Sequence, residues 1–492
     1  MNVEKKPNLL IFMTDHQRWD MAPPFKRAFT PNLDRFAKEA AIFTEAYCPA
    51  PHCCPSRATF FTGLYPTEHG VWNNVEVGNT LSRGLYDNTR LWSDDLREAG
   101  YRLFYTGKWH VSAEETPADR GWEMTYPVYE CKKSEGHRIP PDPYEWEKYY
   151  GQPGICKGEE PRMEAQIIRP GYPLYVQYGE RENPFNDGTV VENAVRTILQ
   201  REASEKPWCH FVGTLGPHDP YYVPKRFLDM YNIEDIKLPE DFYDSMENKP
   251  ALYRRTKDRY SQLTEMEHRK SILHYLAFCT YEDHLFGELL KALEQKGELE
   301  DTIVIYTSDH GDYVGEHGLW AKGLPCFNSA YHIPLLIRRP GSGGIKGEQI
   351  NHFVTLADMA PTILEMLEIR ADRSFSGYSL VPLLEGQKPV NWRSEIYTQT
   401  NGNELYGIQR SVMTKEWKYV YNGFDYDELY HLTEDPHQMY NLIGDPRYDG
   451  VVREMCMKLW RFAYEHKDVC INPYIMVAHA PYGPGIIFEE NL

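Results

Sequence analysis

Four short apolar runs constrain the fold of this chain more than any other feature: Asn8 to Thr14, Arg102 to Tyr105, Cys209 to Leu215 and Thr302 to Thr307. Each reads as a strand buried on both faces of a parallel sheet. Helical patterns lie between them at Thr89 to Ala99, Asn193 to Ala203 and His268 to Lys296, with Gly100 and Gly297 as stops. Strands alternating with helices predict an α/β fold, with a large, mostly parallel sheet flanked by helices. Polar clusters follow every run: Asp15-His16, Lys108-Trp109-His110, Pro217-His218-Asp219 and Asp309-His310. Open α/β sheets bind ligands beyond the carboxyl ends of their strands, so these clusters predict one convergent site.

The pattern changes after about residue 390. Glu395 to Gln399, Gly407 to Met413 and Trp417 to Tyr421 read as short antiparallel strands, Leu429 to Leu442 as strand, turn and loop, and Val451 to Glu465 as a helix. The expected organisation is a catalytic α/β domain over 1–388 and a smaller α+β domain with an antiparallel sheet over 389–492. The tail from Ile471 to Leu492 is rich in Pro, Gly and aromatics, and is the candidate contact for a homo-oligomer. The net charge of −19, with no basic stripe, excludes nucleic acid as an expected partner. No stretch is long and apolar enough for a membrane span. The ten cysteines show neither zinc-like doublets nor dense disulfide spacing, and no leader precedes the first strand, so a cytoplasmic protein with reduced thiols is expected.

Several residues offer chemistry at the predicted strand ends. In Cys53-Cys54-Pro55-Ser56-Arg57, continuing to Thr62-Gly63, Pro55 suits the first position of a helix and Gly63 its stop. The first turn of a helix favours an anion, and Arg57 adds a cation one turn from Cys53. A thiol there is either a nucleophile aimed at an oxyanion or half of a buried cysteine pair. Asp15, Asp309 and His310 form a hard-metal constellation; the alternative for each carboxylate is a cap at a strand end. Lys108 and His110 are expected on one face of a strand extension. Pro217 and Pro220 fix the approach of His218, which suits a proton donor and ordinary turn chemistry alike. Lys322 alone is an ordinary loop lysine.

Taken together, these segments resemble the type I, formylglycine-dependent sulfatases of the alkaline phosphatase superfamily. Cys53-x-Pro55-Ser56-Arg57 resembles their modification signature. Gly107-Lys108-Trp109-His110, Ser308-Asp309-His310-Gly311-Asp312 and Leu319-Trp320-Ala321-Lys322 resemble further blocks of the family. Many members carry paired carboxylates after the first strand and Asp-Asn in the second metal block. Here the pairs are Asp15-His16 and Asp309-His310, as in a subset containing choline sulfatases and phosphonate monoester hydrolases. Asn74 matches a polar pocket residue of that subset. The Lys108-x-His110 block, which the phosphonate hydrolases lack, favours sulfate.

The resemblance implies an alkaline phosphatase-like fold and hydrolysis of a sulfate monoester, with phosphonate monoester or phosphodiester hydrolysis as the alternative. It implies formylglycine formed from Cys53 by a maturation enzyme. It also implies one divalent ion, Ca²⁺ before Mn²⁺ or Mg²⁺, held by Asp15, residue 53, Asp309 and His310. Arg57 and Lys108 would hold the modified side chain, and Lys322 and His218 would grip the sulfate. His218 would protonate the leaving alcohol and His110 would accept a proton in the second step. His16 is either a weak metal ligand or a substrate contact. The substrate would be a small-molecule or saccharide sulfate ester, with the loops Glu130 to Arg169 and Asn232 to Thr264 shaping the pocket for its organic half.

Overall fold

In the computed structural model, which describes residues 6–127, 162–472 and 481–491 apart from 78–79, 170–171, 178, 182, 203–205 and 342–343, the main sheet is built around β1 (Asn8–Thr14). The other strands follow in chain order: β2 (Ala41–Tyr47), β3 (Arg102–Gly107), β4 (Glu123–Pro127), β5 (Tyr175–Gln177), β6 (Trp208–Gly213), β7 (Tyr221–Val223), β8 (Thr302–Ser308), β9 (His332–Arg338), β10 (Gln349–Ile350) and β11 (Val354–Thr355). β5 and β7 pair separately. The rest form a nine-stranded sheet in the order β10-β2-β9-β8-β1-β6-β3-β4, with β11 beside β2. Both faces of β1 are buried. Leu9, Ile11 and Met13 pack in one core with Phe60, Phe61 and Trp92. Leu10 and Phe12 pack in a second core with Tyr275, Phe278 and Leu289 of the 32-residue helix Glu265–Lys296. Thr264 and Glu267 cap that helix reciprocally, and Gly297 ends it at φ +73°.

The sheet is mostly parallel, as expected, but β9 runs antiparallel to both β2 and β8. Neither β2 nor β9 is among the four apolar runs named from the sequence. Pro334 interrupts β9, yet the register of β2 shifts between Phe43 and Ala46, opposite this proline. The missing N–H therefore falls where no regular ladder bond is required. Two helices also begin elsewhere than expected. The first spans Trp92–Glu98, because the Asp94 carboxylate accepts from Leu91 N and starts it there. The second spans Asp187–Gln200 and enters earlier, at a buried carboxylate.

The C-terminal region forms a four-stranded antiparallel sheet: β12 (Ile396–Gly402), β13 (Tyr406–Met413), β14 (Trp417–Asn422) and β15 (Glu428–His431). The helix Asp449–Glu465 covers one face, with Trp460 and Leu459 buried against Tyr419 and Tyr421. The described part of the tail folds back onto this helix: Trp460 Nε1 donates to Tyr482 O at 2.8 Å and Ile486 is buried. Residues 473–480 of the tail lie outside the described residues. Polar contacts tie the C-terminal region to the rest of the chain. Tyr253 OH donates to Glu428 Oε1 at 2.6 Å, and Arg393 Nη2 to Asp358 Oδ1 at 2.7 Å. Among the described residues no helix is long and apolar enough to cross a membrane, and every cysteine is unbridged.

Candidate active site

Sheet register brings the polar clusters together. β1 and β8 end side by side, with Thr14 opposite Ser308, so Asp15 and Asp309 emerge as neighbours. β3 and β6 end together at Gly107 and Gly213. Gly107 has φ +91°, and a Cβ there would lie 2.0 Å from the Gly213 carbonyl oxygen, so the turn demands glycine. The strand stops at this turn, and His110 adopts a left-handed φ of +54°. Lys108 and His110 therefore do not share the face of a strand extension; each enters the site separately. Lys108 Nζ donates to Asp15 Oδ2, and His110 hydrogen-bonds the Cys53 side chain.

The helix Cys53–Thr62 is buried throughout. Pro55 is its third residue, not its first; the fit is still good, because first-turn N–H groups have no partner within the helix. Gly63 closes it at φ +73°. Cys53 Sγ lies 3.4 Å from His310 Nε2 and 3.6 Å from Asp15 Oδ1. Burial alone would raise the Cys53 thiol, but Lys108, Lys322 and His310 outweigh it and hold the group well below its usual range. Cys54 faces elsewhere. Its sulfur accepts from Val75 N at 3.4 Å, and burial pushes this thiol far up. Only one of the adjacent thiols therefore sits where negative charge is stabilised.

Arg57, fully buried, donates from Nε to Asp309 Oδ2 at 2.8 Å and from Nη1 to Lys108 O at 3.1 Å. Asp309 Oδ1 accepts from His310 N at 2.8 Å and from His16 N at 3.4 Å. Burial and the charge of Asp15 push the Asp309 carboxyl up, against the pull of His310 and Arg57. Asp15 is shifted the other way: Lys108, His218 and His310 outweigh burial and the charge at Cys53, and hold it at about 2. His310 Nδ1 donates to Gly311 O at 2.8 Å, which turns Nε2 towards Cys53; burial would lower this imidazole, but the charges of Asp309 and Cys53 outweigh it and push the group up.

His16 stands at the centre, its ring 4.0 Å from that of His218 and 4.4 Å from that of His310. Its Nδ1 is hydrogen-bonded to Asp312 Oδ2 at 3.1 Å, and its Nε2 meets Lys322 Nζ. Lys322 Nζ also lies 3.2 Å from His218 Nε2, so these two residues converge. Burial and Lys322 push His218 below its ordinary value. Outside this cluster opens a cavity of about 520 Å³, whose wall includes Asn74, Arg169, Tyr172, Arg259 and Asn403. Asn74 Oδ1 accepts from Cys54 N at 3.2 Å.

A carboxylate oxygen of Asp15, a ring nitrogen of His16, Cys53 Sγ and a ring nitrogen of His310 lie within 4.8 Å of one another. This buried oxygen, nitrogen and sulfur set fits a divalent cation. His16 belongs to the group, whereas Asp309 stands at its edge, Oδ1 being 3.7 Å from His310 Nε2.

Residues 7–369 match the Sulfatase family, and residues 315–465 match the C-terminal region of N-sulphoglucosamine sulphohydrolase. The chain belongs to the sulfatase family. An uncharacterized sulfatase of Escherichia coli K12 is 30% identical over 92% of this chain and 86% of its own length. The choline-sulfatase of Rhizobium meliloti is 29% identical over 90% of this chain and 83% of its own. Among solved structures, the phosphonate monoester hydrolase of Agrobacterium radiobacter superposes with a TM-score of 0.75, at 24% identity, over 94% of this chain and 96% of that one, a likeness of fold. This sulfatase is a sulfuric ester hydrolase.

Sequence reasoning missed several of its site residues. Asp219 and Asp312 were given no role of their own, although Asp219 belongs to the Pro217-His218-Asp219 cluster and Asp312 closes the Ser308 to Asp312 block. The Asn403 to Leu405 segment, which lines the cavity, belongs to the C-terminal hairpin and carries no signal. Ile167 to Arg169 and Leu252 to Tyr260 line the cavity from the two loops expected to shape it, although 130–161 lie outside the described residues.

Proposed function

We propose that this sulfatase cleaves a sulfate monoester through a formylglycine formed from Cys53. The observation that carries the reading is the placement of Cys53 Sγ among Asp15, His310, Lys108 and Lys322, where negative charge at position 53 is stabilised. Its sulfur marks the place of the hydrated aldehyde's hydroxyl oxygens. A divalent cation, Ca²⁺ before Mn²⁺ or Mg²⁺, held by Asp15, His310 and residue 53 with His16 and Asp309 beside them, would supply charge neutralisation there.

One hydroxyl of residue 53 attacks sulfur with Asp309 accepting its proton, and the bond from sulfur to the ester oxygen breaks. His218 protonates the departing alkoxide. It is neutral at rest, and a sulfate bound between it and Lys322 supplies the negative charge that favours its protonated form. Lys322 and His218 hold the sulfate oxygens, while Arg57 and Lys108 keep the helix start and Asp15 in place. The second hydroxyl then gives its proton to His110, the carbon–oxygen bond to sulfate breaks, and the aldehyde returns. A plain alcohol or thiol has no second hydroxyl with which to expel sulfate.

The Lys108-x-His110 block supports sulfate over phosphonate. A panel of aryl sulfate, alkyl sulfate, phosphonate monoester and phosphodiester substrates tests the reading. Sulfates should dominate in kcat/KM, and a phosphonate ester turned over faster than every sulfate would overturn it.

A further inference from the structure

The cations around the active cavity do not all have the same employment. Lys322, beside His218, is placed for the scissile sulfate, and Arg259 on the rim is ion-paired with Glu404. Arg169 stands apart. Its guanidinium lies over the Tyr172 ring, 4.3 Å from the centroid. Tyr172 OH donates to Asp219 Oδ2 at 2.5 Å, and Asp219 Oδ1 lies 3.2 Å from His218 Nδ1. A continuous run of contacts thus fixes Arg169 relative to the group that grips the sulfate. Among the described residues Arg169 forms no ion pair.

Stacking on an aromatic face occupies the plane of a guanidinium but leaves its N–H edge open, and that edge matches two oxygens of a sulfate or carboxylate. A chain of net charge −19 repels anions at long range, so Arg169, with no ion pair among the described residues, adds with Lys322 to a local reversal of sign on the cavity wall. We propose that Arg169 forms a second anion subsite, and that the substrate is a sulfate ester whose organic half bears another sulfate or a carboxylate. The proposal rests on the sulfatase reading and goes beyond it by naming the chemistry of the organic half. A trimethylammonium group would meet repulsion at the same place.

The test compares wild type with Arg169→Gln and Arg169→Lys on four probes: a hexosamine with two sulfates, its monosulfated counterpart, a sulfated disaccharide containing a uronate, and choline sulfate. In wild type the doubly charged sugars should exceed the monosulfate in kcat/KM by about tenfold, the range of a hydrogen-bonded charge pair. Arg169→Gln should collapse that ratio towards one, and Arg169→Lys should keep part of it. Whichever sugar loses more identifies the second anion as sulfate or carboxylate. An unchanged ratio in Arg169→Gln, or choline sulfate as the best substrate, would overturn the proposal. Calorimetric binding of the same sugars before Cys53 is converted separates the two readings. Arg169-dependent preference in binding, with no turnover once Cys53 has been converted, removes the hydrolytic reading and keeps the subsite. Turnover of all sugars alike does the reverse.

Discussion

Asp187 opens the helix Asp187–Gln200, and its buried carboxylate holds the loop that carries His218. Oδ1 accepts from Leu215 N at 2.7 Å, while Oδ2 accepts from Gly216 N at 3.1 Å and from Asn183 Nδ2 at 2.9 Å. Asp187→Ala strands both backbone N–H groups in the interior, at about 1–3 kcal/mol each. The expected destabilisation is therefore roughly 2–6 kcal/mol, a large part of the ~5–15 kcal/mol by which folded chains are held. Asp187→Asn keeps one carbonyl oxygen and turns an amide towards the other donor, so about half the loss is expected. The same segment is tied to β1, since Thr214 N donates to Met13 O at 3.1 Å and Asp15 N to Gly216 O at 3.0 Å. Loosening it displaces Asp15 and His218 together, so kcat should fall more than KM rises, with partial rescue in Asp187→Asn. Urea denaturation and steady-state kinetics on an alkyl sulfate provide the measurements. An alanine variant within 1 kcal/mol of wild type, with unchanged kcat, would refute the positioning argument.

Peptide mass spectrometry of protein matured with its modifying enzyme should show residue 53, and not Cys54, lighter by the exchange of sulfur and two hydrogens for oxygen; active enzyme with intact Cys53 contradicts this. His218→Ala should lower kcat/KM for an alkyl or sugar sulfate by roughly 10²–10⁴-fold and for nitrophenyl sulfate far less, because nitrophenolate leaves without a proton; an equal fractional loss rules out the acid role. Burial pushes Asp427 in the C-terminal sheet up to about 7. A folded value above the unfolded one means that the stabilisation is complete below about 4 and is lost as pH rises through about 7. Asp427→Asn should therefore flatten the stability profile between those limits, by roughly 4 kcal/mol at most. A variant whose stability declines with pH as steeply as wild type would show that the dependence originates elsewhere.

The sequence was most legible where an apolar run ends in a polar cluster. Asp15, Lys108, His218 and Asp309 were found this way, because register forces parallel neighbours to end together. It was least legible where tertiary contact overrides local pattern. β9 carries a proline that only the irregularity in β2 accommodates, and a single chain read alone shows no such partner. The Lys108 to His110 segment alternates like a strand on paper, but the glycine turn at 107 ends it. His16 could be flagged but not placed, since its position depends on Asp312 and Lys322 meeting it from a separate loop. Nothing in the local sequence marks Asp187, and its role exists only because Leu215 and Gly216 fold onto it.

The cavity's contribution from Asn403 to Leu405, at the turn between β12 and β13, separates two kinds of inheritance in this enzyme. Asp15, Lys108, His218 and Asp309 follow strand ends whose spacing is fixed by sheet register, where a shift of one residue would scatter them. The wall facing the organic half is partly the tip of a hairpin, whose residues can be exchanged, lengthened or shortened at small entropic cost without disturbing any central strand. Breaking the ester bond and choosing the alcohol are thus open to change at different rates. A lineage built this way can acquire new sulfated compounds as substrates by rewriting one exposed turn, while the groups at the strand ends stay as they were.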